Sequence, residues 1–185
     1  MKNYVSPALV GLALVACRSI DSAAPVGDAS VLEVVAPEVV VADQDVRTPL
    51  WKALSSLEGR WVSETPYGAG EHLFEVSSGG SVVREIMGPG TESEMTNMYS
   101  LAGNGISMTH YCAVGNQPHM HAASMDGNRL VFELVSVGDF KDAGGHYMGP
   151  MTLVFVDEDH VEQHWTSNAG GKVDEMGAFV LTRIK

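Results

Sequence analysis

From Gly59 to the C-terminus, turn signals recur every eight to twelve residues, and no long helical period intervenes. They include Ser78-Gly79-Gly80, Gly103-Asn104-Gly105, Asp126-Gly127-Asn128, Asp157-Glu158-Asp159 and Ala169-Gly170-Gly171. Between the turns lie short segments that predict strands at 60–65, 71–77, 81–87, 94–101, 105–113, 119–125, 129–137, 150–156, 160–167 and 175–184. Short strands joined by tight turns form an antiparallel up-and-down sheet, because each hairpin places a strand beside its predecessor. A parallel βαβ arrangement is excluded. An open meander of this length would leave two unpaired edges, and closing the sheet removes both. Apolar residues occupy both faces: Leu130, Phe132 and Leu134 alternate with Val131, Glu133 and Val135. The expectation is an all-β, antiparallel barrel of about eight to ten strands, one face lining its interior.

A short helix precedes the strands. Thr48-Pro49 supplies an N-cap followed by proline in the first turn, and Leu50, Trp51, Leu54 and Leu57 follow at helical spacing. This predicts a helix over 48–57 that closes one end of the barrel.

The chain of 185 residues opens with a single cation, Lys2, and an apolar run over residues 8–16. A membrane-spanning helix needs about 20 apolar residues, so this run reads instead as a secretory signal. Its last residues, Leu14-Val15-Ala16-Cys17, resemble the bacterial lipobox. The resemblance implies cleavage before Cys17, a diacylglyceryl group on its thiol and acylation of the new N-terminus; an ordinary signal peptide with a chance cysteine is the bland alternative. Two or three acyl chains hold a protein firmly in a bilayer. Arg18, rather than Asp, follows the cysteine, which points to the outer membrane, facing periplasm or surface. The expected organisation is a signal peptide at 1–16, a lipidated Cys17 with an acidic tether to residue 47, and a barrel domain at 48–185. The tether is rich in Ala and Val, carries Pro25 and Pro37, and lacks aromatic residues.

The formal net charge of −12 excludes nucleic acid as a direct partner and leaves the acyl chains as the membrane attachment. With Cys17 acylated, Cys112 has no disulfide partner and reads as a small buried hydrophobe.

The first predicted strand opens with Leu57-Glu58-Gly59-Arg60-Trp61. This resembles the Gly-x-Trp signature of lipocalins and related calycin barrels. In those families the tryptophan packs across the closed end beneath a basic residue from the last strand. Here the resemblance implies contact between Trp61 and Arg183, contributing about 0.5–2 kcal/mol. Met98-Tyr99-Ser100-Leu101 and the stretch from Met108 to Met120 also resemble bacterial lipocalin-like domains of unknown function, which imply the barrel and no activity. The missing disulfide departs from classical lipocalins.

Candidate binding residues cluster around 109–121, THYCAVGNQPHMH. Alternation puts His110 and Cys112 on one strand face with Ile106 and Met108, and Tyr111 on the other. His110 reads either as a ligand contact or as a core imidazole bonded to a carbonyl or to Gln163. The leading expectation is a binding protein for a small, largely apolar ligand, contacted by Tyr99, Met108, His110, Asn116, Gln117, His121, Phe132, Gln163 and Trp165. The second is a structural lipoprotein with a filled barrel and an envelope protein partner. The third is a metal-assisted enzyme using His119 and His121, which share one strand face. Nothing else points to catalysis: Gly-x-Ser-x-Gly is absent, Cys112 lacks a local reason for a lowered pKa, and no metal or cofactor is expected. Of ten methionines, Met95, Met108, Met120, Met151 and Met176 fall on strands, where core filling is their ordinary use.

Overall fold

A computed structural model describes residues 43–142 and 144–185. Cys17 and the expected signal and acylation site lie outside the described residues. Helix α1 spans Gln44–Ser55, and eleven strands follow. They are β1 (Gly59–Thr65), β2 (Gly68–Ser77), β3 (Val82–Met87), β4 (Met95–Ala102), β5 (Gly105–Tyr111) and β6 (Gln117–Ala122). The rest are β7 (Met125–Asp126), β8 (Arg129–Gly138), β9 (His146–Phe155), β10 (His160–Ala169) and β11 (Lys172–Arg183). Every sequence-predicted strand is present.

Apart from β6 and β7, which do not pair with each other, each strand pairs antiparallel with its chain neighbours, and β1 pairs with β11, so first and last strands meet. Closure is completed by β6 pairing with β8, while the two-residue β7 forms only a short hairpin with the start of β8. The result is a closed, ten-stranded antiparallel barrel. Register shifts in β10 beside Thr166, against both neighbours, and in β6 after His119 relieve the bending that closure demands.

Helix α1 begins earlier than the sequence implied. Asp43, not Thr48, is its N-cap, the carboxylate accepting from the Asp45 N–H at 2.9 Å. Pro49 therefore lies inside the helix, where it forgoes one helical hydrogen bond. Leu50 and Leu54 compensate by burying their side chains against the barrel. Among the described residues no helix is long and apolar enough to cross a membrane.

At the α1 end, Trp61 is fully buried, donates from Nε1 to the Leu57 carbonyl at 2.9 Å and meets Phe74 edge-on. Arg183 lies over it, 4.2 Å from the ring centre. Further in, Tyr99, Phe132, Met108, Met120, Met151 and Trp165 are all buried. Their side chains occupy the middle of the barrel, where the sequence suggested a ligand chamber.

Candidate ligand site at the barrel mouth

Glu85 sits on β3 between Val83 and Met87, the inward-facing positions of an alternating strand, and is completely buried. An unpaired carboxylate there would be very costly, so the surrounding strands must supply donors. They supply four. Oε1 accepts from His72 Nδ1 and Gln163 Nε2, both at 2.6 Å. Oε2 accepts from Asn97 Nδ2 at 2.7 Å and from the Tyr99 hydroxyl at 2.6 Å. Asn97 stands directly opposite Glu85 in the ladder, His72 and Tyr99 are diagonal to it, and Gln163 reaches over from β10. Burial alone would push the Glu85 pKa up, but the hydrogen bonds and the charge of His72 outweigh it and hold the group below the ordinary carboxylate value. Burial, with Glu85's charge, raises Tyr99 well above the usual phenol range, so its hydroxyl stays a donor.

The network extends outward from this carboxylate. His110 Nδ1 is 2.6 Å from Asn97 Oδ1, and Trp165 Nε1 donates to Gln163 Oε1 at 3.0 Å. His110 packs its ring 5.0 Å from Trp165 and leaves Nε2 buried with no partner. Burial drops its pKa from 6.5 to about 4, against the pull of Glu85, so it is neutral at pH 7.

Open space lies beside the end of β1 and the start of β2. A cavity of about 240 Å³ opens there. His72 forms part of its lining, and beside it stand Met87 and Met95. Phe179 and Tyr67, in edge-on contact at 6.4 Å, form an aromatic wall, and Ser63, Thr65, Thr91 and Ser93 add hydroxyls. The start of β2, Gly68-Ala69-Gly70, has almost no side chains, and this keeps the mouth clear on that side. His72 is only 3% exposed, so it lines the inner part of the cavity rather than its rim. Its Nδ1 is committed to Glu85, and Nε2 makes no protein hydrogen bond among the described residues. With Nδ1 held by the carboxylate, Nε2 is the ring nitrogen left for a further partner.

The expected ligand residues divide into two groups. Tyr99, His110, Gln163 and Trp165 belong to the buried network, with Met108 and Phe132 packed in the same core. None of the six lines the mouth cavity. Asn116, Gln117 and His121 are elsewhere. Asn116 donates to the His146 carbonyl at 2.6 Å and ties the β5–β6 loop to β9. Gln117 donates to Gly115 within its own turn. His121 faces outward, as does His119, because Pro118, Met120 and Ala122 take the inward positions of β6. His119 is bonded to Thr109, and among the described residues no three of His, Cys, Asp and Glu converge to hold a metal. Cys112 is half-buried, its thiol pKa raised by burial, with Sγ 4.0 Å from Met95 Sδ.

His72, Glu85 and Asn97 were not singled out from the sequence. Their signal was available: Glu85 is a charge between two apolar residues at i±2, and His72 shares its strand face with Phe74. In comparisons with known proteins, no family model and no curated sequence matches the chain.

Proposed function

We propose that the protein is a lipid-anchored envelope protein that binds a small ligand in the mouth of its barrel. The acylated Cys17 would hold it to the membrane, and the acidic stretch up to α1 would space the barrel from the surface. The observation that carries the binding reading is the inner lining of the mouth cavity. A buried carboxylate with all its donors in place fixes the ring of His72, and that residue lines about 240 Å³ of open space. Small ligand sites pair mostly apolar walls with a few oriented polar groups, and Phe179, Tyr67, Met87 and Met95 around His72 have that composition.

Native mass spectrometry of the protein purified from its own host tests this reading. The expected result is a retained small species that is lost in Ser63→Leu, which fills the cavity, with melting temperature used to show that the variant folds. Retention unchanged in a folded Ser63→Leu overturns it. Cys17→Ser should release the protein from the membrane fraction.

The filled centre of the barrel favours a second reading, a structural lipoprotein whose acidic exterior meets another envelope protein. Crosslinking in cells that captures one stoichiometric partner, with the mouth empty in native spectra, would select it.

A further inference from the structure

Three side chains in the mouth share a chemical preference. His72 on β2 is the ladder partner of Met87 on β3, and Met87 is the ladder partner of Met95 on β4. The row His72–Met87–Met95 therefore runs straight across three adjacent strands, and all three residues line the same cavity. Directly opposed side chains on one sheet face start about 4.5–5.5 Å apart at Cβ, within the span of two flexible thioethers reaching towards one point. Core filling explains methionines packed on every side, such as Met108 and Met120. Met87, 3% exposed, and Met95 pack against the same core, but unlike those two they also line the cavity beside the His72 ring.

We propose that the mouth cavity binds a soft monovalent metal ion, Cu(I), through Nε2 of His72 and the thioether sulfurs of Met87 and Met95. This rests on the mouth-binding reading above and names its ligand class.

Four observations select this ion class. Thioether and imidazole donors suit soft ions, whereas zinc sites are usually built from three or four imidazole, thiolate or carboxylate ligands. Among the described residues no such trio of His, Cys, Asp and Glu exists. Both carboxylates beside the site are already committed, Glu85 to four donors and Glu71, on the cavity lining, to Arg60, so the imidazole and the thioethers are the donors left. Finally, a ligating histidine ordinarily gives its second ring N–H to a carboxylate, which fixes tautomer and orientation, and the 2.6 Å contact from His72 Nδ1 to Glu85 is such a contact. The weak approach of Asn97 Nδ2 to Met87 Sδ, at 3.5 Å, already turns that sulfur towards the polar network.

The test is anaerobic titration of the chain as exported by its host, purified without chelator, with Cu(I) competed by a chromogenic Cu(I) chelator. Ag(I) serves as the redox-inert probe for NMR of ¹³C-methyl methionine. The expected result is one equivalent of Cu(I), at least a hundredfold preferred over Zn(II), with methyl shifts concentrated at Met87 and Met95. His72→Gln, which keeps a donor to Glu85, and the double variant Met87→Leu/Met95→Leu should each lower the affinity at least thirtyfold with melting temperature little changed. Cys112→Ser should leave it within threefold. Wild-type affinity in the folded double variant, methyl shifts centred on other methionines, or collapse of binding in Cys112→Ser overturns the assignment. Native spectra that show an organic species lost in Ser63→Leu, with no saturable Cu(I) binding, remove the metal and leave mouth binding standing.

Discussion

The guanidinium of Arg183 covers the face of Trp61 while both its terminal nitrogens are spent on the segment that leads into β1: NH1 donates to the Glu58 carbonyl and NH2 to Ser56, each at 2.8 Å. The same side chain donates from Nε to the Glu158 carbonyl at 3.0 Å. One residue on the last strand thereby ties together the end of α1, the start of β1 and the β9–β10 turn, and lids the buried indole. Lysine cannot reproduce a planar fork that both stacks and donates in three directions. Arg183→Lys is expected to cost about 2 kcal/mol, combining a partly desolvated cation–π contact with lost charge-assisted hydrogen bonds. Urea denaturation monitored by tryptophan fluorescence measures this, and a change below about 0.5 kcal/mol would refute the closing role.

Glu85 presents an inverse case, a charge whose removal should be worse than its retention. Each oxygen faces two donors, so Glu85→Gln must aim an amide NH₂ at one donor pair. A buried pair broken on one side costs about 3–5 kcal/mol, because the partners are left desolvated. A destabilisation in that range is expected by denaturant unfolding. Glu85→Gln as stable as wild type would mean that the carboxyl is protonated in the native barrel.

The same centre predicts an acid-sensitive fold. His110 has its native pKa lowered to about 4 from 6.5, so between those values the unfolded chain binds the proton and the folded one does not. Stability rises with pH wherever the unfolded state binds more protons, so it should fall as the pH drops from 6.5 to 4, by about 3 kcal/mol from this group. Glu85 acts lower. Its native pKa lies below 4.5, so its contribution is present above that value and is lost as the pH falls through the native one. His110→Gln keeps a donor for Asn97 and removes only the upper step. Guanidinium unfolding at pH 7, 5.5 and 4.5 should show wild type losing more stability than His110→Gln; parallel curves would rule out a neutral buried imidazole.

Strand pattern and closure were legible because they depend on turn residues and period-two alternation, which are local. Trp61 and Arg183 were legible through a resemblance that carries a pairing across the whole domain, and they are ladder partners on first and last strands. The inside of the barrel was less so. Six of the nine residues expected to touch a ligand do face inward, but inward facing does not distinguish a wall of open space from a packed core. That depends on how Tyr99, Phe132 and Trp165 fill a common volume across strands distant in sequence. His72, Met87 and Met95 become a group only through the β2–β3–β4 register, and the bare stretch Gly68-Ala69-Gly70 that opens the cavity beside them falls between two predicted strands with nothing local to mark it as a cavity wall. The helix start was misplaced because Thr48-Pro49 is as good a local cap signal as Asp43, whose N–H is in addition held by the distant Asn104 Oδ1 at 2.9 Å.

Gly105 is a stricter requirement than its place in a Gly-Asn-Gly turn suggests. It opens β5 opposite Ala102, and a Cβ placed on it would lie 2.3 Å from the backbone carbonyl oxygen of Ala122 and 2.8 Å from the His121 ring. The ring can rotate away, since His121 faces outward, but the carbonyl belongs to β6 and cannot move without separating two paired strands. By contrast, Gly103 in the same turn has open space around it and is required only for its left-handed φ of +58°. Gly105→Ala should therefore cost more than Gly103→Ala, about 2–3 kcal/mol for the steric conflict against about 1 kcal/mol for the strained backbone. Thermal unfolding of the two variants side by side measures the difference. Equal losses would show that β5 and β6 are not packed this closely where the barrel turns.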